Sequence, residues 1–135
     1  MSRVKSKDEL FQELYNLARN AGLEAVNKQI QENDVALMRV VQRENPLNDN
    51  SPVVKDYGIV PVCGFAWVNI KPGNSAFARW MKEQNLARTD SYFGGVSMSV
   101  SDFNQSVSLK ETFAYAFARV LNENGIQAFA HSRLD

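Results

Sequence analysis

Residues 94–131, GGVSMSVSDFNQSVSLKETFAYAFARVLNENGIQAFAH, decide the fold. Val96, Met98 and Val100 alternate with Ser97, Ser99 and Ser101, the period of a strand with one packed face. That predicts a strand over 96–103 whose serine face is wet or lines a groove. Ser108 and Glu111 have the spacing of a capping box, in which each side chain satisfies an orphan backbone N–H. Phe113, Ala116, Phe117, Val120 and Leu121 then form one apolar helical stripe. Gly125 supplies a left-handed stop, and Ile126 the hydrophobic contact that accompanies it. Ile126, Ala128 and Ala130 share one side of a closing strand. A helix packed on a sheet buries both apolar faces, so the segment predicts an α+β protein.

Upstream, residues 59–70, IVPVCGFAWVNI, read as the strongest strand. Apolar residues occupy both of its faces, which predicts a central strand covered on each side, with Phe65 and Trp67 in the core. Pro61 belongs at its start, since it cannot donate to a ladder. After Lys71-Pro72-Gly73, either Asn74 or Ser75 caps a helix that buries Phe77, Trp80 and Met81. Residues 85–94 read as a loop, with room for a short strand at 89–93. The order from residue 59 is then βαββαβ, the ferredoxin-like split unit. The sheet is expected to be mixed or antiparallel, with helices packed on it.

Residues 1–42 add N-terminal helices and a strand to this core. Ser6 and Glu9 form a capping box, and Leu10, Phe11, Leu14, Leu17 and Ala18 follow at helical spacing. Gly22 predicts a stop or bend, with a second short helix reaching Glu32. Residues 35–42, VALMRVVQ, suit a strand. Residues 43–58, RENPLNDNSPVVKDYG, carry two prolines and several Asn and Asp residues, and read as an irregular loop that is either a connector or functional. The whole of 1–135 is expected to form one domain.

Fifteen basic and fifteen acidic residues cancel. Neutrality argues against general nucleic-acid or membrane-surface binding, which needs excess Lys and Arg, though it leaves a local basic patch open. One cysteine, Cys63, rules out an internal disulfide and favours a reducing compartment. The N-terminus lacks a signal-peptide run, and the stretch VPVCGFAWVNI is too short to span a bilayer. A soluble cytoplasmic protein with no membrane attachment is expected.

Cys63 and His131 are the only residues able to form a thiol–imidazole pair, with Asp102 or Asp56 to orient the ring. Against this, a lone cysteine in an apolar strand is usually a small core residue. One Cys and one His supply half of a tetrahedral metal site, and no spacing marks Asp90, Asp102 or Asp135 as completing it; no metal and no cofactor is expected. Gly94-Gly95 allows an anion-binding nest but reads first as a tight turn. Asp102, Asn104, Gln105 and Ser106 form the most polar cluster, at a strand–helix junction where ligands often bind. The same residue types also serve as caps and turn formers. Phe65 and Trp67 invite comparison with RNA-stacking sheets, but the basic, glycine-rich pattern of those sheets is absent.

The stretches GFAWVNIKPGNSAFARWM and GGVSMSVSDFNQS, with the terminal SRLD, resemble small proteins encoded by bacteriophages and prophages, over about residues 62–135. The resemblance implies a bacterial host cytosol and a protein that works by binding; it implies no activity. With no acid–base or metal constellation beside an irregular loop and a polar strand–helix junction, the leading expectation is a non-catalytic binding module. It would act on a bacterial host protein or a small ligand through the 43–58 loop and the Asp102–Ser106 loop. An enzyme using Cys63 and His131 is the alternative, and a nucleic-acid-binding sheet face the weaker one. The exposed edge of a strand leaves homo-oligomerisation open.

Overall fold

The computed structural model describes residues 5–35, 37–103 and 106–134, the side chain of Tyr57 excepted. Its elements in chain order are α1 (Lys7–Gln31), β1 (Leu37–Arg43), β2 (Val53–Pro61), β3 (Gly64–Lys71), α2 (Ala76–Glu83), β4 (Arg88–Thr89), β5 (Val96–Ser99), α3 (Val107–Glu123) and β6 (Gln127–Leu134). The protein is α+β, as expected. Four strands form an antiparallel sheet in the order β4-β5-β3-β6, and β1 and β2 pair separately as an antiparallel hairpin. From residue 64 onward the expected strand, helix, strand, strand, helix, strand order is present, with β4 reduced to two residues.

The core lies on one side of the sheet. Ala66, Val68 and Ile70 of β3, Val96 and Met98 of β5 and Ala128 of β6 all point toward it. Phe77, Trp80 and Met81 of α2 and Phe113, Phe117 and Leu121 of α3 fill it from above. Helix α1 packs over both: Phe11 meets Phe77 edge-on at 5.4 Å, and Tyr15 meets Phe117 at 5.7 Å. All three helices therefore share one face of the sheet.

Several local readings change. Gly22 does not break α1, which runs unbroken through 25 residues. It is the point of closest approach to α3, because a Cβ there would lie 2.6 Å from the Phe113 ring. The expected loop 43–58 narrows to 44–52, the tip of a hairpin, because Arg43 ends β1 and residues 53–58 belong to β2. Its Asn and Pro residues are confined to the tip, where Asn45 and Asn48 each accept a backbone N–H two residues on. This is the Asx-turn habit that made the whole stretch look irregular. The strand expected over 59–70 is two strands, with Pro61 closing β2 opposite Leu37 rather than opening β3.

Helix α3 starts two residues earlier than the Ser108–Glu111 box implies. Ser106 is its N-cap and accepts the Leu109 N–H, while the Glu111 carboxylate accepts from the Ser132 hydroxyl. Ser6 caps α1 as expected, and of the two candidates Asn74 and Ser75 it is Ser75 that caps α2. Gly125 takes a left-handed φ of 81°, and the Ile126 N–H closes on the Leu121 carbonyl.

Candidate functional site

Among the described residues the far side of the sheet carries no helix, and the side chains there are not what an exposed sheet face usually shows. Alternation along β3 sends Phe65, Trp67, Asn69 and Lys71 outward. Antiparallel register sets Arg133 beside Phe65, His131 beside Trp67 and Phe129 beside Asn69 on one flank. On the other flank it sets Ser99 beside Trp67 and Ser97 beside Asn69, with Arg88 beyond Ser97. The expectation that Phe65 and Trp67 pack in a core is thus corrected. Phe65 is 37% exposed and Trp67 half-buried, because the helices all lie on the opposite face.

These rings form a platform. Trp67 and His131 stack with centroids 5.0 Å apart and planes 16° from parallel, and Phe65 continues the row 6.1 Å from Trp67. The Arg133 guanidinium lies 5.5 Å above Phe65 and 5.9 Å above Trp67, and the Lys71 ammonium 5.6 Å from Phe129. Both are cation–π distances. From the helix side, the buried Lys110 ammonium donates to the Gly64 carbonyl and lies 5.6 Å from the Phe65 ring.

The segment after β4 raises a wall over one end of the platform. Its Phe93 ring sits 4.5 Å from His131 and 5.8 Å from Phe129, and Tyr92 stands edge-on beside it, largely in solvent. Asp90 holds this wall. One carboxylate oxygen accepts the Tyr92 and Phe93 N–H groups at 2.9 and 2.8 Å; the other accepts the Ser97 hydroxyl at 2.6 Å. Asn69, fully buried, donates to the Gly94 carbonyl at 2.8 Å and to Ser97 at 3.1 Å, pinning the wall to the sheet. Gly94 and Gly95 make the turn with φ of 80° and 64°. They are a tight turn, since their geometry serves the chain reversal into β5.

Between wall and sheet lies an open cavity of about 650 Å³, floored by Trp67 and His131 and bounded by Phe93, Tyr92, Arg88 and Arg133. Its size falls within the range of small-molecule sites. The expectation that the serine face of β5 lines a groove holds, since Ser97 and Ser99 both border this cavity.

The electrostatics favour an anion. Asp90 is turned inward onto its donors, and the Ser97 hydroxyl, then the Phe93 amide, pull its pKa down to about 2 against the opposing effect of burial. Among the described residues neither Arg88 nor Arg133 has a carboxylate partner. Burial lowers the His131 pKa, with the Asp90 charge opposing. The imidazole Nε2 is buried without a hydrogen-bond partner.

Both shifts predict a pH dependence of stability. The folded Asp90 titrates below its ordinary 3.8, so its contribution is complete above that pH and disappears as pH falls through about 2. The folded His131 also titrates below its ordinary 6.5, so stability declines as pH drops below that value and the unfolded imidazole takes up a proton first. Asp90→Asn is expected to flatten the acid limb of a denaturation–pH profile between pH 4 and 2. An unchanged acid limb would show that the carboxylate is not held as described.

The structure disperses the residues singled out from sequence. Gly64, next to Cys63, pairs with Leu134, three residues past His131, and so Cys63 lies roughly 10 Å or more from the imidazole along the sheet. The Cys63 thiol contacts the Pro61 carbonyl at 3.6 Å, and Cys63 bridges to Ser106. No thiol–imidazole pair forms, and Asp56 is engaged by Arg39 at 2.8 Å on the hairpin. Asp102 pairs with Arg19 of α1 at 3.5 Å, and Ser106 is a helix cap. Asn104 and Gln105 lie outside the described residues.

Among the described residues no cluster of three His, Cys, Asp or Glu could hold a metal ion, and no helix is long and apolar enough to cross a membrane. Asn69, Arg88, Phe93 and Arg133 had not been singled out as site residues. Only Asn69, the lone amide in an otherwise apolar run, carried a visible signal. No family model matches the chain, and no curated protein or solved structure is found similar to it.

Proposed function

We propose that this protein is a non-catalytic binding module whose ligand seats a planar aromatic group on the helix-free sheet face. One observation carries the reading: the stacked Trp67–His131 pair forms the floor of a cavity walled by Phe93 and Tyr92. A flat ring entering there meets the stacked Trp67–His131 pair below and the Phe93 and Tyr92 rings beside it, while Arg88 and Arg133 attract an anionic substituent. The separation of Cys63 from His131 along the sheet removes the one catalytic pair the sequence offered, which supports binding over that chemistry.

The test uses Trp67 as its own reporter. Trp80 is buried among the helices, so quenching by a ligand on the sheet face comes from Trp67. Titration with adenosine monophosphate, flavin mononucleotide and other planar anions is expected to quench the fluorescence saturably. Trp67→Phe is expected to abolish the quenching signal and leave Trp80 emission unaltered. Quenching that persists in Trp67→Phe would place the ligand elsewhere.

A second reading rests on the β1–β2 hairpin and keeps the host-protein partner in view. Leu37, Val54 and Ile59 are each more than half exposed on this two-stranded ribbon, and Leu47 stands 97% exposed at its tip. An isolated two-stranded ribbon is marginal in water, which favours a protein partner along the arm. The phage-type resemblance and its bacterial cytosolic setting suit either reading.

A further inference from the structure

We propose that the ligand is single-stranded nucleic acid, its bases against the Phe65–Trp67–His131 row and the Tyr92 ring and its phosphates on Arg88, Arg133 and Lys71. This rests on the sheet-face reading above and names its ligand class. Four features argue for it together.

The first is the number and spacing of the rings. A free mononucleotide needs one ring, but the face carries Phe65, Trp67 and His131 as one stacked row, with the largely exposed Tyr92 ring at the same cavity. The row is longer than a single base, so neighbouring bases would be splayed along it and against Tyr92. A single strand permits this, whereas a duplex keeps its base faces covered. Base–aromatic stacking is also tolerant of sequence, since every base has a π face.

The second is charge. The chain is neutral overall, which speaks against general polyanion binding. The face is not neutral. Arg88 borders it from β4, Arg133 from β6 and Lys71 from the end of β3. Among the described residues the one acid bordering the cavity is Asp90, whose oxygens are taken by Ser97 and by the Tyr92 and Phe93 amides. The cations thus sit on the flanks of an aromatic row, where a backbone would run on either side of stacked bases.

The third is polarity between the rings. Ser97 and Ser99 border the cavity beside Trp67, offering hydroxyls that both donate and accept. The fourth is shape. The cavity is open rather than enclosed: its floor continues past Trp67 to the exposed Phe65, and no helix of the described residues closes that end. A chain can therefore enter and leave along the platform.

The experiment is fluorescence anisotropy of 5′-labelled dT10 and rU10 with the full chain at 50 mM salt, followed by a salt titration. The expected result is saturable binding, at least tenfold tighter than to a duplex of the same length. Three phosphate contacts predict a slope of log K against log salt near about −2, from roughly −0.7 per contact on a single strand. Arg133→Gln and Arg88→Gln should each weaken binding and make that slope shallower by about 0.7. Phe65→Ala and Trp67→Ala should each weaken binding by roughly 10- to 100-fold. Tyr115→Ala, on the exposed face of α3, should leave it unchanged. Circular dichroism of each variant verifies that it is folded.

No binding at 50 mM salt overturns the inference, as does binding that Phe65→Ala and Trp67→Ala leave intact. If the oligonucleotides fail while adenosine monophosphate quenches Trp67, the nucleic-acid inference falls and the sheet-face site stands. If both fail, both fall. Binding of a protein to this face with no oligonucleotide binding also overturns it.

Discussion

Gly95→Ala is expected to destabilise the protein by about 2–4 kcal/mol, a loss read from the midpoint of chemical denaturation. A Cβ at this position would stand 2.2 Å from the Ile70 carbonyl oxygen, and the backbone φ of 64° disfavours any L side chain. The obstacle is backbone in a hydrogen-bonded strand, so no side-chain rotation relieves it. Relief requires β5 to move from β3 at the Ile70↔Val96 pair, or the turn to open and release the bond from the Asp90 N–H to the Gly95 carbonyl. Either movement displaces Phe93 from His131. The substitution should therefore also reduce ligand binding at the platform, although residue 95 touches no ligand. Gly58→Ala is the matched control: its φ is also positive, at 84°, but a Cβ there meets nothing within 4 Å. It should cost only about 1 kcal/mol.

Phe117→Ala should cost about 3–5 kcal/mol, the range for truncating a fully buried aromatic ring. Phe117 packs beneath Tyr15 and beside Phe113, where α1, α3 and the sheet meet, and the rigid layers around it cannot collapse into the void. Trp67→Ala removes a larger side chain and should cost only about 1–2 kcal/mol, mostly the stacking with His131 and Phe65. The inversion is the informative part. If Trp67 were a core residue, as its strand suggests, its truncation would cost as much as that of Phe117. Equal losses in urea denaturation would mean that the sheet face is covered in solution.

How much of this could be read from the chain depends on how local each feature is. The alternation of Val96 and Met98 with Ser97 and Ser99 is local, and both the strand and its groove-lining face were legible. So were the caps at Ser6 and Ser75, because a cap is a contact between residues three apart. At α3 two serines precede the same apolar stripe. The choice of Ser106 over Ser108 follows from the backbone of residue 107 donating to the Val62 carbonyl, a tertiary contact.

The orientation of Phe65 and Trp67 was hidden for a different reason. Gly64, Ala66 and Val68 make the other face of β3 apolar too, so the strand has the pattern of one buried on both sides. Which face the helices cover is decided by the chain's connections, not by its residues. The Trp67–His131 stack joins positions 64 apart in sequence through the β3–β6 register, and nothing in either neighbourhood announces it. The Cys63–His131 expectation failed on the same ground: it needed a register shifted by about four residues. The hairpin was misread because Asn45, Asn48 and Asn50, which belong to its tip, sit close to strand residues such as Val53 and Val54.

The account stands or falls on where a ligand lands. The most direct test is a ¹H–¹⁵N correlation spectrum of the full chain, titrated with planar aromatic anions, adenosine monophosphate first. Saturable shifts are predicted at the Trp67 indole and at the backbone amides of Phe93, Ser97 and His131, with the amides of Phe117, Leu121 and the Leu37–Pro61 hairpin unmoved. Shifts confined to the hairpin or the helices, or none at all, would contradict the claim that the open sheet face is the binding surface.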